Sequence, residues 1–265
     1  MDFTDKVIWV TGASAGIGAA LARALANEGA RLVISARREA QLEETAMDCR
    51  DAGAAAVMVL PLDLEDTASH ASAAARVVAE FGAIDLLLNN AGLSQRSLAA
   101  ETILEVDRKL MEVNYIGTVS LTKSVLPMMR KQGYGTIATV TSLVGHIGTP
   151  KRTSYAASKH ALHGFFDSLR SECWQDGIKV TMVCPGFIHT DVSINALTGD
   201  GSLHGVMDRG QSNGMDVDVC AQKILRGLRR ERAEIWVGGK EVFAAWIERL
   251  CPPFYRYMAK RIDPT

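Results

Sequence analysis

Seven short apolar runs recur along the chain, at residues 7–10, 32–35, 57–60, 86–89, 136–141, 179–184 and 234–237, each too brief for a helix and bounded by polar or turn residues. Most are nearly continuous rather than alternating, as a strand covered by helices on both faces must be. Between the first two runs Ile17, Ala20, Leu21, Ala24 and Leu25 fall at helical spacing, and Gly29 follows where a left-handed C-terminal cap belongs. The pattern predicts further helices over 39–52, 67–81, 101–132, 154–175 and 217–230. Strands and helices in alternation read as repeated βαβ units. The fold expected is therefore α/β, three layers doubly wound around a parallel sheet of roughly seven strands.

Two stretches leave this alternation. Residues 188–215 are rich in Gly, Ser, Asp and Asn with weak periodicity, and they follow a strand end. Ligands of open parallel sheets bind beyond the carboxyl ends of the strands, so this insertion is placed to cover a substrate. In the extension 241–265, Phe243, Trp246, Ile247 and Leu250 keep helical spacing until Pro252-Pro253 breaks it before Phe254, Tyr255, Tyr257 and Met258. Arg249, Arg256, Lys260 and Arg261 lie among these aromatics. Such a tail is expected to pack on its own domain or across a subunit interface, the other reading being peripheral contact with a membrane. No linker or internal repeat divides residues 1–265, and one domain of that length is within the range of α/β folds.

Composition narrows the partners. With 29 basic against 30 acidic residues the net charge is −1, which offers no concentrated basic footprint for nucleic acid. No apolar run approaches the roughly 20 residues that cross a bilayer, and the N-terminus enters a strand pattern rather than a signal sequence, so a cytoplasmic location is expected. Cys49, Cys173, Cys184, Cys220 and Cys251 are scattered without a C-x-x-C pair and read as free thiols. His70, His146, His160, His163, His189 and His204 show no metal-ligand spacing, so no metal is expected, although His146 lies close enough to Ser142 to be a candidate pocket residue.

Directly after the first strand comes Thr11-Gly12-Ala13-Ser14-Ala15-Gly16-Ile17-Gly18, leading into the first helix. Glycines let the backbone turn sharply and approach a pyrophosphate, and the helix start offers unpaired N–H groups. This turn resembles the T-G-x-x-x-G-x-G of the short-chain dehydrogenases/reductases, a family with a Rossmann fold. The resemblance continues in Asn89-Asn90-Ala91-Gly92, similar to that family's N-N-A-G, and in Pro185-Gly186 with Thr190, similar to its P-G-x-x-x-T. It implies a dinucleotide site formed by Gly12, Ser14, Gly16, Ile17 and Gly18, by Asn90, Ala91 and Gly92, and by Pro185, Gly186, Ile188 and Thr190. Asp63-Leu64 is similar to the acidic position that receives the adenine, although Asp63 on its own also reads as a turn or cap residue. The second strand ends in Arg37-Arg38 where an NAD-reading acid would sit, and two guanidiniums there suit a 2′-phosphate. NADP(H) is thus expected in preference to NAD(H), unless the arginines pair with Glu39 or Glu43.

Tyr155-Ala156-Ala157-Ser158-Lys159 puts a phenol and an ammonium on one helix face. A tyrosine with a pKa of about 10 is a poor base at neutral pH, and a nearby cation favours its phenolate. With Ser142 at a strand end and Asn114 in a predicted helix, Tyr155 and Lys159 match the family's Asn-Ser-Tyr-Lys tetrad. The resemblance implies that Tyr155 moves the proton and Ser142 holds the substrate oxygen. It also implies that Lys159 lowers the Tyr155 pKa and bonds the nicotinamide ribose, with Asn114 positioning Lys159 through water. Leu93, Leu143, Val144, Ile147, Phe187, Ile188, Val192, Ile194, Leu197 and Val206 are candidates for an apolar mouth. The function expected is hydride transfer between NADP(H) and a hydrophobic ketone, aldehyde or secondary alcohol, in a homodimer or homotetramer. The alternative is a dinucleotide-binding regulatory or scaffold protein, against which the filled tetrad argues.

Overall fold

The computed structural model describes residues 1–261; the last four residues of the 241–265 extension lie outside the described residues. In chain order the elements are β1 (Val7–Thr11), α1 (Gly16–Ala26), β2 (Arg31–Ser35), α2 (Glu39–Asp51), β3 (Ala56–Val59), α3 (His70–Phe81), β4 (Leu86–Asn89), α4 (Leu104–Met111) and α5 (Thr118–Gln132). They continue through β5 (Gly135–Val140), α6 (Thr153–Glu172), β6 (Ile178–Pro185), α7 (Arg209–Ser212), α8 (Val217–Arg229), β7 (Glu234–Val237), α9 (Val242–Leu250) and α10 (Pro252–Ala259). The strands form a seven-stranded parallel sheet in the order β3-β2-β1-β4-β5-β6-β7. The order reverses between β1 and β4, which opens a crevice at their carboxyl ends.

The continuous apolar runs follow from this architecture. In β1, Ile8 and Val10 pack with Leu21 and Leu25 of α1 and Leu225 of α8 on one face of the sheet. Val7 and Trp9 pack with Leu121 and Val125 of α5 and Phe166 of α6 on the other. Neither set meets water, so no position in the strand tolerates a charge. Trp9 carries a polar atom into this core, and its indole N–H donates to Ser35 Oγ at 2.9 Å.

One expectation is corrected, and two are sharpened. The single helix over 101–132 is instead a 3₁₀ turn at Ala99–Glu101, an extended break at Thr102, α4, a π turn at Glu112–Gly117, and α5. The π turn brings Gly117 against the Leu64 backbone so closely that a Cβ there would stand 2.4 Å from the Leu64 carbonyl oxygen. Pro252-Pro253 does not merely end a helix but opens α10, because proline's fixed φ and missing N–H suit the first helical turn. The insertion 188–215 is not slack. Its ends are joined by Phe187, Ile188, His189 and Met215 through two backbone hydrogen bonds of 2.9 Å, and Leu197 bridges to Gln95.

The described part of the extension packs on its own domain through Ala245 and Tyr255, whose hydroxyl donates to the Gly148 carbonyl at 2.8 Å. It leaves Phe243, Trp246, Leu250, Phe254 and Tyr257 exposed. Among the described residues no helix is long and apolar enough to cross a membrane. The five cysteines are free thiols, all buried except Cys251.

Candidate active site

A cleft of about 650 Å³ lies along the carboxyl ends of the strands. At one end the chain leaves β1 through Gly12, whose φ of +65° only glycine adopts easily. A Cβ on Gly12 would also stand 2.8 Å from the Ala91 Cα. Asn90 locks the turn from across the switch point, its Nδ2 donating to the Thr11 and Gly12 carbonyls at 3.0 and 3.2 Å. The N-terminus of α1 has no side-chain cap, so its first N–H groups are open to an anion.

Gly12, Ser14, Gly16, Ile17, Arg37, Arg38, Asp63, Leu64, Asn90, Ala91 and Gly92 all line this end, as do Pro185, Gly186, Ile188 and Thr190. Gly18 does not. It serves the turn from behind, where a Cβ would stand 2.2 Å from the Gly12 carbonyl oxygen and 2.4 Å from Asn90 Nδ2. Asp63 lines the cleft, and its carboxylate makes the bond of a turn residue, accepting from the Glu65 N–H at 3.1 Å. Arg37 and Arg38 are exposed at the rim and pair with neither Glu39 nor Glu43.

The other end is the wall formed by Ser142, Tyr155 and Lys159. Ser142 is extended at φ −174°, beyond β5, its hydroxyl donating to the Pro185 carbonyl at 3.4 Å, and it stands close enough to Tyr155 to favour the phenolate. Lys159, one helical turn from Tyr155, is buried; its Nζ donates to the Val140 carbonyl at 3.0 Å and stands 5.8 Å from the centre of the Tyr155 ring. Burial lowers its pKa to about 8. Burial likewise raises the Tyr155 phenol, and the groups opposing that rise are Ser142, Arg152 and Arg96. Two arginines, Arg152 and Arg96, thus join Lys159 as cations beside the phenol.

Asn114 is fully buried in the π turn, outside the cleft. Its Oδ1 accepts from the Leu93 N–H at 2.7 Å, and its Nδ2 donates to the Leu93 carbonyl and to Ser158 Oγ at 3.0 and 2.9 Å. These bonds tie α6 to the segment after β4, and Gly92 sits bare between Asn114 Oδ1 and Lys159 Nζ. His146 turns away from the cleft toward Glu234, which it meets at 2.9 Å.

The sequence reading missed the buried ion pair beside the phenol. Arg96 Nε donates to Asp208 Oδ2 at 2.6 Å, and Arg152 Nη2 reaches the same oxygen at 3.3 Å. Both guanidiniums line the cleft, and burial, with repulsion from Arg96, lowers Arg152 to about 10. Asp208 belongs to the insertion, so this pairing draws the insertion over the cleft. No local motif announces it, since Arg96 and Asp208 are 112 positions apart. Of the apolar candidates, Leu93, Leu143, Val144, Ile147, Phe187, Ile188, Val192 and Leu197 line the cleft; Ile194 and Val206 do not.

A seven-stranded parallel sheet, a glycine turn at its switch point and a serine–tyrosine pair facing that turn define a class, and residues 6–200 match the model of the short chain dehydrogenase family. The chain belongs to that family of oxidoreductases. It is 45% identical over 240 residues to the human dehydrogenase/reductase SDR family member 7, which covers 89% of this chain and 71% of the relative. Among solved structures it is similar to an alcohol dehydrogenase from the archaeon Thermococcus sibiricus complexed with 5-hydroxy-NADP, with a TM-score of 0.75, 27% identity, and 89% and 97% of the two chains covered. A short chain dehydrogenase/reductase from Burkholderia phymatum, in complex with NAD, shares the fold with a TM-score of 0.84 at 22% identity over 100% of this chain and 98% of the other.

Proposed function

We propose that this protein is an NADP(H)-dependent oxidoreductase interconverting a hydrophobic ketone or aldehyde and its alcohol, of the steroid, retinoid or acyl-chain kind. One observation carries the reading: the Tyr155 phenol and Ser142 share a cleft with the uncapped start of α1 and the unpaired Arg37 and Arg38. The residues present fit a dinucleotide. The bare Gly12 and Gly16, both at positive φ, leave room for a pyrophosphate that a Cβ would crowd, and the α1 N–H groups supply its donors. Arg37 and Arg38 suit a 2′-phosphate by charge-assisted hydrogen bonds, which favours NADP(H). When bound, the nicotinamide supplies or accepts the hydride.

The chain's own residues manage the proton. Because burial holds the phenol above its ordinary range, Tyr155 is protonated at neutral pH and donates to the carbonyl oxygen in reduction. Ser142 holds the same oxygen, while Arg96 and Arg152 stabilise the phenolate left behind. Lys159 lies beside Gly92, in place to bond a ribose hydroxyl. Leu93, Val144, Ile147 and Phe187 give the substrate an apolar surface and keep water from the reacting oxygen. Reduction needs the phenol and oxidation the phenolate, so reduction falls and oxidation climbs as pH rises into the alkaline range. The test is NADPH consumption against a panel of apolar ketones and aldehydes, with NADH in parallel. Turnover of at least one substrate, faster with NADPH, is expected; none with any substrate contradicts the activity, and equal rates with NADH contradict the cofactor preference.

A further inference from the structure

Outside the cleft, four side chains with metal-ligating atoms converge from four separate segments. His146 follows the turn that begins at Ser142, His163 lies one helical turn beyond Lys159 on α6, Cys184 is near the end of β6, and Glu234 opens β7. Their ligand atoms all lie within 4.8 Å of one another. His146 Nε2 is 2.9 Å from Glu234 Oε1 and 3.6 Å from Cys184 Sγ; Glu234 Oε1 is 3.7 Å from that sulfur and 3.9 Å from His163 Nδ1. A tetrahedral zinc ion, with bonds of about 2.0–2.3 Å, needs ligand atoms roughly 3.3–3.7 Å apart. We propose that these four residues form a structural binding site for a zinc-type divalent cation, empty in this structure, that fastens the Ser142 turn to the Tyr155 helix.

The chemistry of the donor set supports a metal over a chance polar cluster. A thiolate and a carboxylate together cancel the charge of a dication, so the occupied site is neutral, as a largely buried one must be. Four protein ligands close the coordination sphere, which marks a structural rather than a catalytic ion. Thr141 Oγ1 stands 3.1 Å from His163 Nε2; with its proton on the Val183 carbonyl it accepts from Nε2–H, the tautomer that leaves the lone pair on Nδ1, 3.9 Å from Glu234 Oε1. At Cys184 a metal–sulfur bond forms as the S–H bond breaks, and that proton passes to solvent. In the empty site His146 Nε2–H donates to Glu234; with its proton on Nδ1 instead, the same nitrogen ligates. His146 and Glu234 remain about a quarter exposed, at 24% and 29% of their side-chain surface, and give an ion its way in.

The site has no sequence signature because its ligands lie 17, 21 and 50 positions apart along the chain. Its consequence is mechanical: the ion would hold the Ser142 turn, α6, β6 and β7 in one geometry beside Tyr155 and Lys159. The test uses the full chain, treated with chelator and then titrated with Zn²⁺ by calorimetry and with Co²⁺ by absorption spectroscopy, without nucleotide. Wild type is expected to bind one equivalent of Zn²⁺ per chain, to melt at a higher temperature when loaded, and to show a thiolate-to-cobalt charge-transfer band. Cys184→Ser should abolish that band and the thermal shift, and Glu234→Gln should weaken Zn²⁺ by at least roughly tenfold. Unchanged NADPH binding by each variant shows that it has folded; should Cys184→Ser not fold, the wild-type cobalt spectrum and Glu234→Gln still decide. A Co²⁺ adduct without the sulfur band, equal Zn²⁺ uptake by wild type and folded variants, or no uptake at all would overturn the proposal.

Discussion

The two ends of the cleft are made of different material. At the cofactor end the surface is backbone: the Gly12 turn, the uncapped start of α1 and the bare Gly92, with Asn90 pinning the turn through two carbonyls. At the substrate end it is side chain: Arg96, Arg152 and Asp208, gathered from distant segments and held by charge in a buried network, with Phe187 under the Arg152 guanidinium at 5.8 Å. A backbone surface is fixed by the fold and excludes added atoms. A side-chain surface depends on pairings, so substrate choice can change while the nucleotide seat stays as it is.

Substitutions separate the two ends. The largest effect is expected at Asp208→Ala, which leaves Arg96 buried without its carboxylate. Stability should fall by about 3–5 kcal/mol, read from denaturant midpoints, as for other broken buried pairs. A loss below about 1 kcal/mol would mean that the pair does not hold the insertion. Next comes Gly18→Ala, which drives a methyl group into the Gly12 carbonyl and Asn90. Overpacking of about 1–3 kcal/mol should lower the melting temperature and weaken NADPH together. An unchanged NADPH affinity would break the link between turn geometry and cofactor. Smallest is Arg37→Asp at the exposed rim, where loss of a charged hydrogen bond of about 1.5 kcal/mol should weaken NADPH roughly tenfold and leave NADH nearly unaffected. Equal weakening of both would remove Arg37 as the reader of the 2′-phosphate.

The same division explains what the sequence revealed. Backbone-built features are written locally: the seven strands, the glycine turn and Asn90 stand where the motifs place them, because each needs particular residues at adjacent positions. The helix read over 101–132 hid a π turn because the extra residue widens one turn while the chain stays helical on both sides, and Asn114 sits inside it. Side-chain features escaped for the opposite reason. Nothing near Arg96 points to Asp208, and nothing near Tyr155 says that Arg152 and Arg96 also act on it while Lys159 donates to Val140. Spacing on one helix face set Tyr155 and Lys159 together but could not say which atom the ammonium would meet.

The central claim is that the Tyr155 phenol carries the proton, and the most direct measurement compares Tyr155→Phe with wild type for NADPH binding and for turnover of the best carbonyl substrate. Removing one hydroxyl from a cleft otherwise unchanged should cut turnover roughly 100- to 10,000-fold, the usual reach of a positioned acid, while the NADPH dissociation constant moves by no more than about twofold. Wild-type turnover in Tyr155→Phe would contradict the account.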